Sequence, residues 1–417
     1  MKVVGFGRRP LSTRNFQKNV INILIEKKIE KDHAKAATFA AMFLYTRGSF
    51  GSPASFVKLK KLLGNIDASW GLCGAKAFYL AVPPEHFTEI FKKLDKSGLD
   101  EGCDAEGLPA RIMIEKPFGH NEKEAKELNH FLDTLFDEEE IYRIDHYLVK
   151  PVLRTLLLVR AKNTLFEHVL SRESIEKIDV HLFETIGVEQ RGLFYDKVGA
   201  FLDVGQNHLL EMLALALMPL PRDFGAQSLR TARAKFIHVL PKLSKKKIKK
   251  DTVRAQYEGY HTILGVKIAS KTETYFKLGF TLRGKRYGGV PVVLESGKRM
   301  KKTRKDIVIT LKSGKKSRGL KKIAIELEPK ARVRLYYMNG REKDIFADPT
   351  AHSIQYAGQY AELIVEALRG DQTSFLSKEE VEAAWRFADP IIAGWKMVLS
   401  PLLSYTPNKE LQWDKGK

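Results

Sequence analysis

Arg111-Ile112-Met113-Ile114-Glu115-Lys116-Pro117-Phe118-Gly119 reads as a short buried strand, stopped by a proline and turned at a glycine. Asn121 to Phe136 follows as a charged amphipathic helix. The same succession recurs upstream. Lys2 to Arg9 reads as a strand ending in a Gly-rich turn, and Asn15 to Lys28 as a helix carrying Phe16, Val20, Ile21, Ile23, Leu24 and Ile25. A second helix is expected over about His33 to Tyr45. Ala77 to Val82 is a continuous apolar strand closed by Pro83-Pro84, and a helix over about Glu85 to Leu94 follows, with Ile90 and Phe91 on its apolar face. Short apolar strands alternating with helices predict an α/β region, a mostly parallel sheet covered on both faces.

Beyond Lys150 the pattern changes. Pro151 to Leu170 is helix-like, Lys177 to Glu184 alternates as a half-buried strand, and Ala200 to Leu217 reads as one long apolar helix. Strand candidates follow at Thr272–Leu282, Ile307–Leu311, Ile323–Leu327 and Val333–Met338. Ser353 to Arg369 is helical and ends at Gly370, a C-cap. Ser377 with Glu380 opens a last helix through a capping box. The second half is therefore α+β, a large mainly antiparallel sheet covered by helices.

With 417 residues, two domains are expected. The apolar share of 44% suits a globular chain, and no apolar run approaches the roughly 18 residues of a membrane span. Met1 to Gly5 shows no signal-peptide pattern. Cys73 and Cys103 have no metal-ligand spacing around them and read as structural thiols, which fits a reducing, cytoplasmic setting. The net charge is +21, concentrated in runs at Lys242–Lys250, Lys298–Lys305 and Lys312–Lys322. These runs fit solvated loops and blunted sheet edges, and a nucleic-acid partner is the competing reading. Anionic small molecules benefit from the field either way.

Polar chemistry is densest at Arg143-Ile144-Asp145-His146-Tyr147-Leu148-Val149-Lys150, which packs an acid, an imidazole, a phenol and an ammonium into a few positions. Lys116 ends a strand, where ligands of parallel sheets gather, although loop charges are also common there. His208 follows Asp203, Gln206 and Asn207 at the polar start of an apolar helix. It reads equally as a satisfied core histidine and as a general base, since an imidazole beside a carboxylate titrates near neutral pH.

These stretches resemble the glucose-6-phosphate dehydrogenase family. Arg143 to Lys150 resembles its Arg-Ile-Asp-His-Tyr-Leu-Gly-Lys signature, with Val149 in place of glycine. Ile114 to Gly119 is similar to its Glu-Lys-Pro-Phe-Gly segment, and Asp203 to Leu210 to its Asp-Val-x-Gln-Asn-His-Leu-Leu helix start. Phe78–Pro84, Thr272–Thr274, Gly289–Pro291, Gly297–Arg299 and Gly370–Thr373 match in the same order, nearly to the end of the chain.

The resemblance implies oxidation of glucose 6-phosphate at C1 with hydride transfer to NADP, in the oxidative pentose phosphate pathway. It implies His208 as general base, oriented by Asp145. His146, Tyr147 and Lys150 then grip the sugar phosphate, and Glu184, Asp203 and Lys298 contact the sugar. Lys116 serves both sugar and cofactor, Arg8 meets the NADP 2′-phosphate with help from Arg9, and Pro117 follows a cis bond. No metal is implied. An N-terminal Rossmann-like NADP-binding domain (1–145), an α+β substrate-binding and dimerisation domain (146–417) and a homodimer complete what it implies, with Asp145 to Lys150 at the seam.

One departure is large. The family's opening strand and Gly-x-x-Gly-Asp-Leu-Ala turn are not found, and Gly5-Phe6-Gly7-Arg8 aligns with the next family stretch, Gly-Tyr-Ala-Arg, which the spacing to Lys116 favours over the alternative that Gly5-x-Gly7 is itself a degenerate dinucleotide turn. The Rossmann-like domain is thus expected to be incomplete, with unpaired sheet edges and uncovered apolar surface. Three readings stay open: a start further upstream, a strand supplied by another polypeptide, or a non-catalytic or split-chain relative that binds sugar phosphate without a complete NADP site. Smaller departures are Pro151 for Glu and Glu328 for Gln, where a carboxylate near a phosphate is expected to alter sugar affinity.

Overall fold

A computed structural model describes residues 1–103, 108–314, 319–348 and 356–411. Residues 315–318 of the last lysine run and 353–355 of the helix expected from Ser353 lie outside the described residues. The chain forms two compact units, Met1–Pro117 with Leu128–Tyr142, and Phe118–Glu127 with Arg143–Lys417.

The first unit is α/β. Strand β1 (Val3–Gly7) pairs in parallel with β2 (Phe43–Arg47), and β3 (Ala77–Leu80) pairs in parallel with β4 (Arg111–Glu115). Strand β5 (Ile141–Ile144) lies next to β4. The helix Thr13–Glu26 starts where Ser12 Oγ accepts from the Asn15 amide at 3.2 Å. The helix expected through Tyr45 ends at Ala40, and Phe43–Arg47 becomes β2. Aromatic and β-branched residues favour a strand once β1 offers a partner. The helix Pro53–Trp70, with proline in its first turn and Gly71 (φ +67°) at its end, has no counterpart in the sequence reading.

Among the described residues, β1 and β3 each carry one strand neighbour, and both border one cavity of about 240 Å³. Val4 and Phe6 of β1, Phe78 and Leu80 of β3, and Phe56 and Leu59 of the long helix line it. Strand β1 is only half-buried throughout, whereas Ile112, Met113 and Ile114 of β4 are almost wholly buried. Cys73 and Cys103 are joined in a disulfide with Cα atoms 5.9 Å apart, correcting the reading of two thiols. Their separation of 30 residues gave no spacing signal, and folding alone brings them together.

The second unit is built on a nine-stranded sheet. Its strands are β6 (Ile175–Phe183), β7 (Thr252–Tyr257), β8 (Tyr275–Thr281), β9 (Pro291–Gly297), β10 (Arg304–Leu311), β11 (Leu320–Glu328), β12 (Ala331–Tyr337) and β13 (Glu342–Asp348). The short β14 (Phe375–Leu376) lies outside it, pairing with the Arg143–Ile144 end of β5, and β15 (Leu402–Tyr405) completes it. The order is β13-β12-β11-β10-β6-β9-β8-β7-β15. Pairing is antiparallel except at β6–β9 and β7–β15, so the sheet is mixed but mainly antiparallel. Alternating Ile178, Val180 and Leu182 of β6 are buried, as their spacing predicts.

The helix expected over Ala200–Leu217 is built in pieces. An α-helix ends at Ala200, a π-helical stretch runs from Phe201 to Leu209, and an α-helix over Leu210–Leu217 is buried throughout. The run from Pro151 likewise breaks at Asn163, giving Pro151–Lys162 and Thr164–Val169. The helix Lys378–Lys396 has the expected capping box, with Glu380 N to Ser377 Oγ at 3.2 Å and Ser377 N to Glu380 Oε2 at 2.7 Å. Part of the first lysine run is not loop: Lys245–Asp251 is a short helix anchored by buried Ile248.

Candidate active site

Strand β5 delivers the signature segment. Its backbone ends in a tight turn at Asp145–Lys150, in which Leu148 N bonds Asp145 O at 3.1 Å and Lys150 N bonds Tyr147 O at 3.0 Å. Pro151 then starts the next helix, where a missing N–H costs nothing. All of Asp145, His146, Tyr147 and Lys150 are buried.

The π-helical stretch brings His208 to this turn. Its wider winding lets Gly205 press against Phe201 and Phe276, where an added Cβ would lie 2.6 Å from each ring. His208 Nδ1 lies 2.6 Å from Asp145 Oδ1, with the histidine side chain 4% exposed and the aspartate fully buried. Asp145 Oδ1 also accepts from Tyr147 N at 2.9 Å, which fixes the carboxylate. A carboxylate only accepts, so His208 Nδ1 carries the proton and Nε2 the basic lone pair. The His208 ring stacks on Tyr147 (centroids 3.9 Å, 24° between planes) and meets His146 edge-on at 4.7 Å. Burial pushes the Tyr147 phenol well above its usual range, so it stays a donor. The sequence left His208 open between core and base, and the structure gives it a carboxylate partner.

Asp145, His146 and His208 place donor atoms within 4.8 Å of one another, a grouping of metal-ligand types. The Nδ1 of His208 is committed to Asp145, which suits proton transfer better than coordination.

Sheet ends deliver Glu184 and Lys298, and the π-helical stretch delivers Asp203. Strands β6 and β9 run parallel, with Phe183 opposite Gly297, so Glu184 and Lys298 emerge side by side at their carboxyl ends. The Lys298 ammonium contacts the Glu184 carboxylate and lies 3.5 Å from Asp203 Oδ2. Arg191 Nη2 sits 3.3 Å from the other Asp203 oxygen. Lys298 is buried, correcting its assignment to a solvated lysine run, because its backbone is clamped by Thr274 O at 2.9 Å and Tyr405 Oη at 2.6 Å.

Lys305 stands opposite Glu328 across β10 and β11. The Glu328 carboxylate meets Lys305 Nζ at 2.8 Å and Lys150 Nζ at 3.1 Å. Burial raises the Glu328 carboxyl, but Lys305 and Lys150 outweigh it and hold it below its usual range. Burial also pulls the Lys150 ammonium below its usual range, by more than Glu328 lifts it. Each partner favours the other's charged form, burial and Lys305 oppose it at Lys150, and the 3.1 Å contact supports a charged pair. Sequence reading passes over Lys305, hidden in a charge run. Its only signal is strand alternation, which needs the register of β10 against β11.

Arg8 and Lys116 belong to the first unit. Arg8 follows β1 and is exposed, its guanidinium 6.0 Å from the Phe50 ring centroid. Arg8 and Arg9 line a cavity of about 370 Å³ at the carboxyl ends of β1 and β2, with Tyr45, Phe50 and Pro83. Two arginines and flat apolar walls at such an edge suit a phosphorylated nucleoside. Lys116 follows β4 and precedes Pro117 across a cis bond, as expected.

Residues 157–411 match the family described as glucose-6-phosphate dehydrogenase, C-terminal domain, and residues 1–154 match its NAD binding domain. The chain belongs to the glucose-6-phosphate dehydrogenase family. It is 30% identical to glucose-6-phosphate 1-dehydrogenase of Rhizobium meliloti (strain 1021), over 97% of this chain and 86% of the relative. It is also 30% identical to that of Bacillus subtilis (strain 168), over 96% and 86%. A solved glucose-6-phosphate dehydrogenase in complex with its substrate glucose-6-phosphate superposes with a TM-score of 0.85 and 28% identity, covering 99% of this chain and 88% of the other. The Mycobacterium avium enzyme gives a TM-score of 0.81 at 26% identity, covering 97% and 87%. No helix among the described residues is long and apolar enough to cross a membrane.

Proposed function

We propose that this chain is a glucose-6-phosphate dehydrogenase, oxidising D-glucose 6-phosphate at C1 to 6-phospho-D-glucono-1,5-lactone, with NADP as cofactor. The observation that carries the reading is the buried His208–Asp145 pair beside a pocket of converging lysines. His208 Nε2 takes the proton of the C1 hydroxyl, and Asp145 stabilises the imidazolium that results. The C1 hydrogen leaves as hydride, so the hemiacetal carbon becomes the lactone carbonyl. NADP, when bound, supplies the hydride acceptor.

In this reading His146, Tyr147 and Lys150 hold the 6-phosphate, a dianion that suits an ammonium and neutral donors in a half-dry pocket. Glu184, Asp203 and Lys298 meet sugar hydroxyls. Lys116 serves sugar and cofactor, and Arg8 with Arg9 selects the 2′-phosphate of NADP over NAD. Residues 1–145 form the cofactor domain and 146–417 the substrate domain. A cytoplasmic homodimer completes the reading, without nucleic-acid or membrane partners.

The test is direct. Purified protein is mixed with NADP and glucose 6-phosphate, and absorbance of the reduced nicotinamide is followed. Reduction dependent on both is the expected result. Sugar-phosphate binding with no reduction favours the non-catalytic reading instead.

A further inference from the structure

We propose that Glu328 is a resident counter-anion of the phosphate pocket, holding Lys150 and Lys305 together until a sugar phosphate takes them over, and so sets how strongly the site prefers a phosphorylated sugar. This deepens the sugar-phosphate reading and rests on it. The geometry is specific: Oε1 meets Lys150 Nζ at 3.1 Å while Oε2 meets Lys305 Nζ at 2.8 Å. Each carboxylate oxygen thus takes one ammonium, as two oxygens of a phosphate would. The third lysine nearby, Lys298, is already held by Glu184 and Asp203.

Charge counting shows the consequence. Two lysines and one carboxylate carry +1. A phosphate dianion entering beside an unmoved Glu328 leaves −1 in a half-dry pocket, a costly state. With Glu328 turned away, the two lysines neutralise the dianion. The side chain can turn, because it is 34% exposed and ends β11 just before Pro329, while both lysine side chains are only 11% and 13% exposed. The lysines stay and the carboxylate moves. An unphosphorylated sugar leaves the clasp closed and pays nothing for it, so the carboxylate narrows the gap between the two substrates.

The test compares the native protein with Glu328→Gln, which keeps shape and removes charge. Steady-state kinetics with NADP are run on glucose 6-phosphate and on glucose. The expected result is a KM for glucose 6-phosphate lower by about tenfold, the size of one like charge removed from beside an anion. The kcat and the kcat/KM for glucose move much less. Glu328→Ser, a second variant, moves the same way, and in a Lys305→Gln background the gain from Glu328→Gln shrinks. An unchanged or raised KM for glucose 6-phosphate in both Glu328 variants overturns the proposal. Calorimetric titration with inorganic phosphate separates it from the parent reading. Tighter phosphate binding without any dinucleotide reduction upholds the clasp and sinks the dehydrogenase. Reduction with equal phosphate binding in native and variant protein does the reverse.

Discussion

The two units treat charge and strand edges in opposite ways. The second buries its charges: Asp145, His208, Lys150 and Lys298 are all buried, each tied to a partner on another element or turn, behind a continuous nine-stranded sheet. The first leaves Arg8 and Arg9 exposed, at the end of a half-buried strand whose sheet stops at a cavity shared with β3. Buried groups are oriented before substrate arrives, so each should matter greatly to chemistry. Exposed groups work in high dielectric and should matter modestly.

His208→Asn is the sharpest way to break this contrast. It should lower kcat by about a thousandfold, within the usual range for a general base, and leave calorimetric binding of glucose 6-phosphate nearly intact. An unchanged kcat would refute the base assignment. Next comes Lys150→Ala, which removes a buried ammonium. It should weaken glucose 6-phosphate by about thirty- to a hundredfold, as expected for a charge-assisted contact, with NADP hardly affected. Equal losses for both ligands count against a phosphate role. Arg8→Ala should cost only about tenfold in NADP affinity and spare NAD, because its guanidinium is exposed. A hundredfold loss there would erase the distinction between the units.

A separate effect concerns stability rather than ligand binding. Glu273 is buried, with Oε1 accepting from Phe201 N at 3.1 Å, and burial pushes its carboxyl from 4.5 up to about 7. The folded state therefore binds the proton more tightly than the unfolded chain. Stability from this group is full below about pH 4.5 and falls as pH rises through about 7. Glu273→Gln should remove that loss, raising stability at pH 8 by up to about 3 kcal/mol and not at pH 4.5, read from paired thermal melts. A gain independent of pH would mean that charge burial is not the cause.

Much of the fold was readable because period and punctuation are local. The strands at Val3, Ala77, Arg111 and Ile178 and the capping box at Ser377 all appear where the pattern puts them. Strand β2 did not, since five residues after a helix carry too little period to resolve. Strands β7, β9 and β13 were also missed. The π-helical stretch was also hidden, because its apolar spacing resembles that of the α-helix it interrupts. In the site, motifs marked Asp145, His146, Tyr147, Lys150 and His208. Lys305 lay in a charge run that looks like ordinary surface, Arg191 stood in no motif, and the Cys73–Cys103 bridge had no spacing to betray it.

By itself the sequence determined the order of elements, the family resemblance and which residue types could carry proton and phosphate chemistry. Those properties reside in neighbouring residues, and neighbours are what a chain lists. The tertiary structure decided which of them meet. Only parallel β6 and β9 bring Glu184 to Lys298, only the register of β10 on β11 sets Lys305 against Glu328, and only the turn after β5 puts Asp145 on His208. Charge interactions fall with distance and with solvent, so separations of up to 114 residues along the chain become decisive only after folding brings the charged groups into contact.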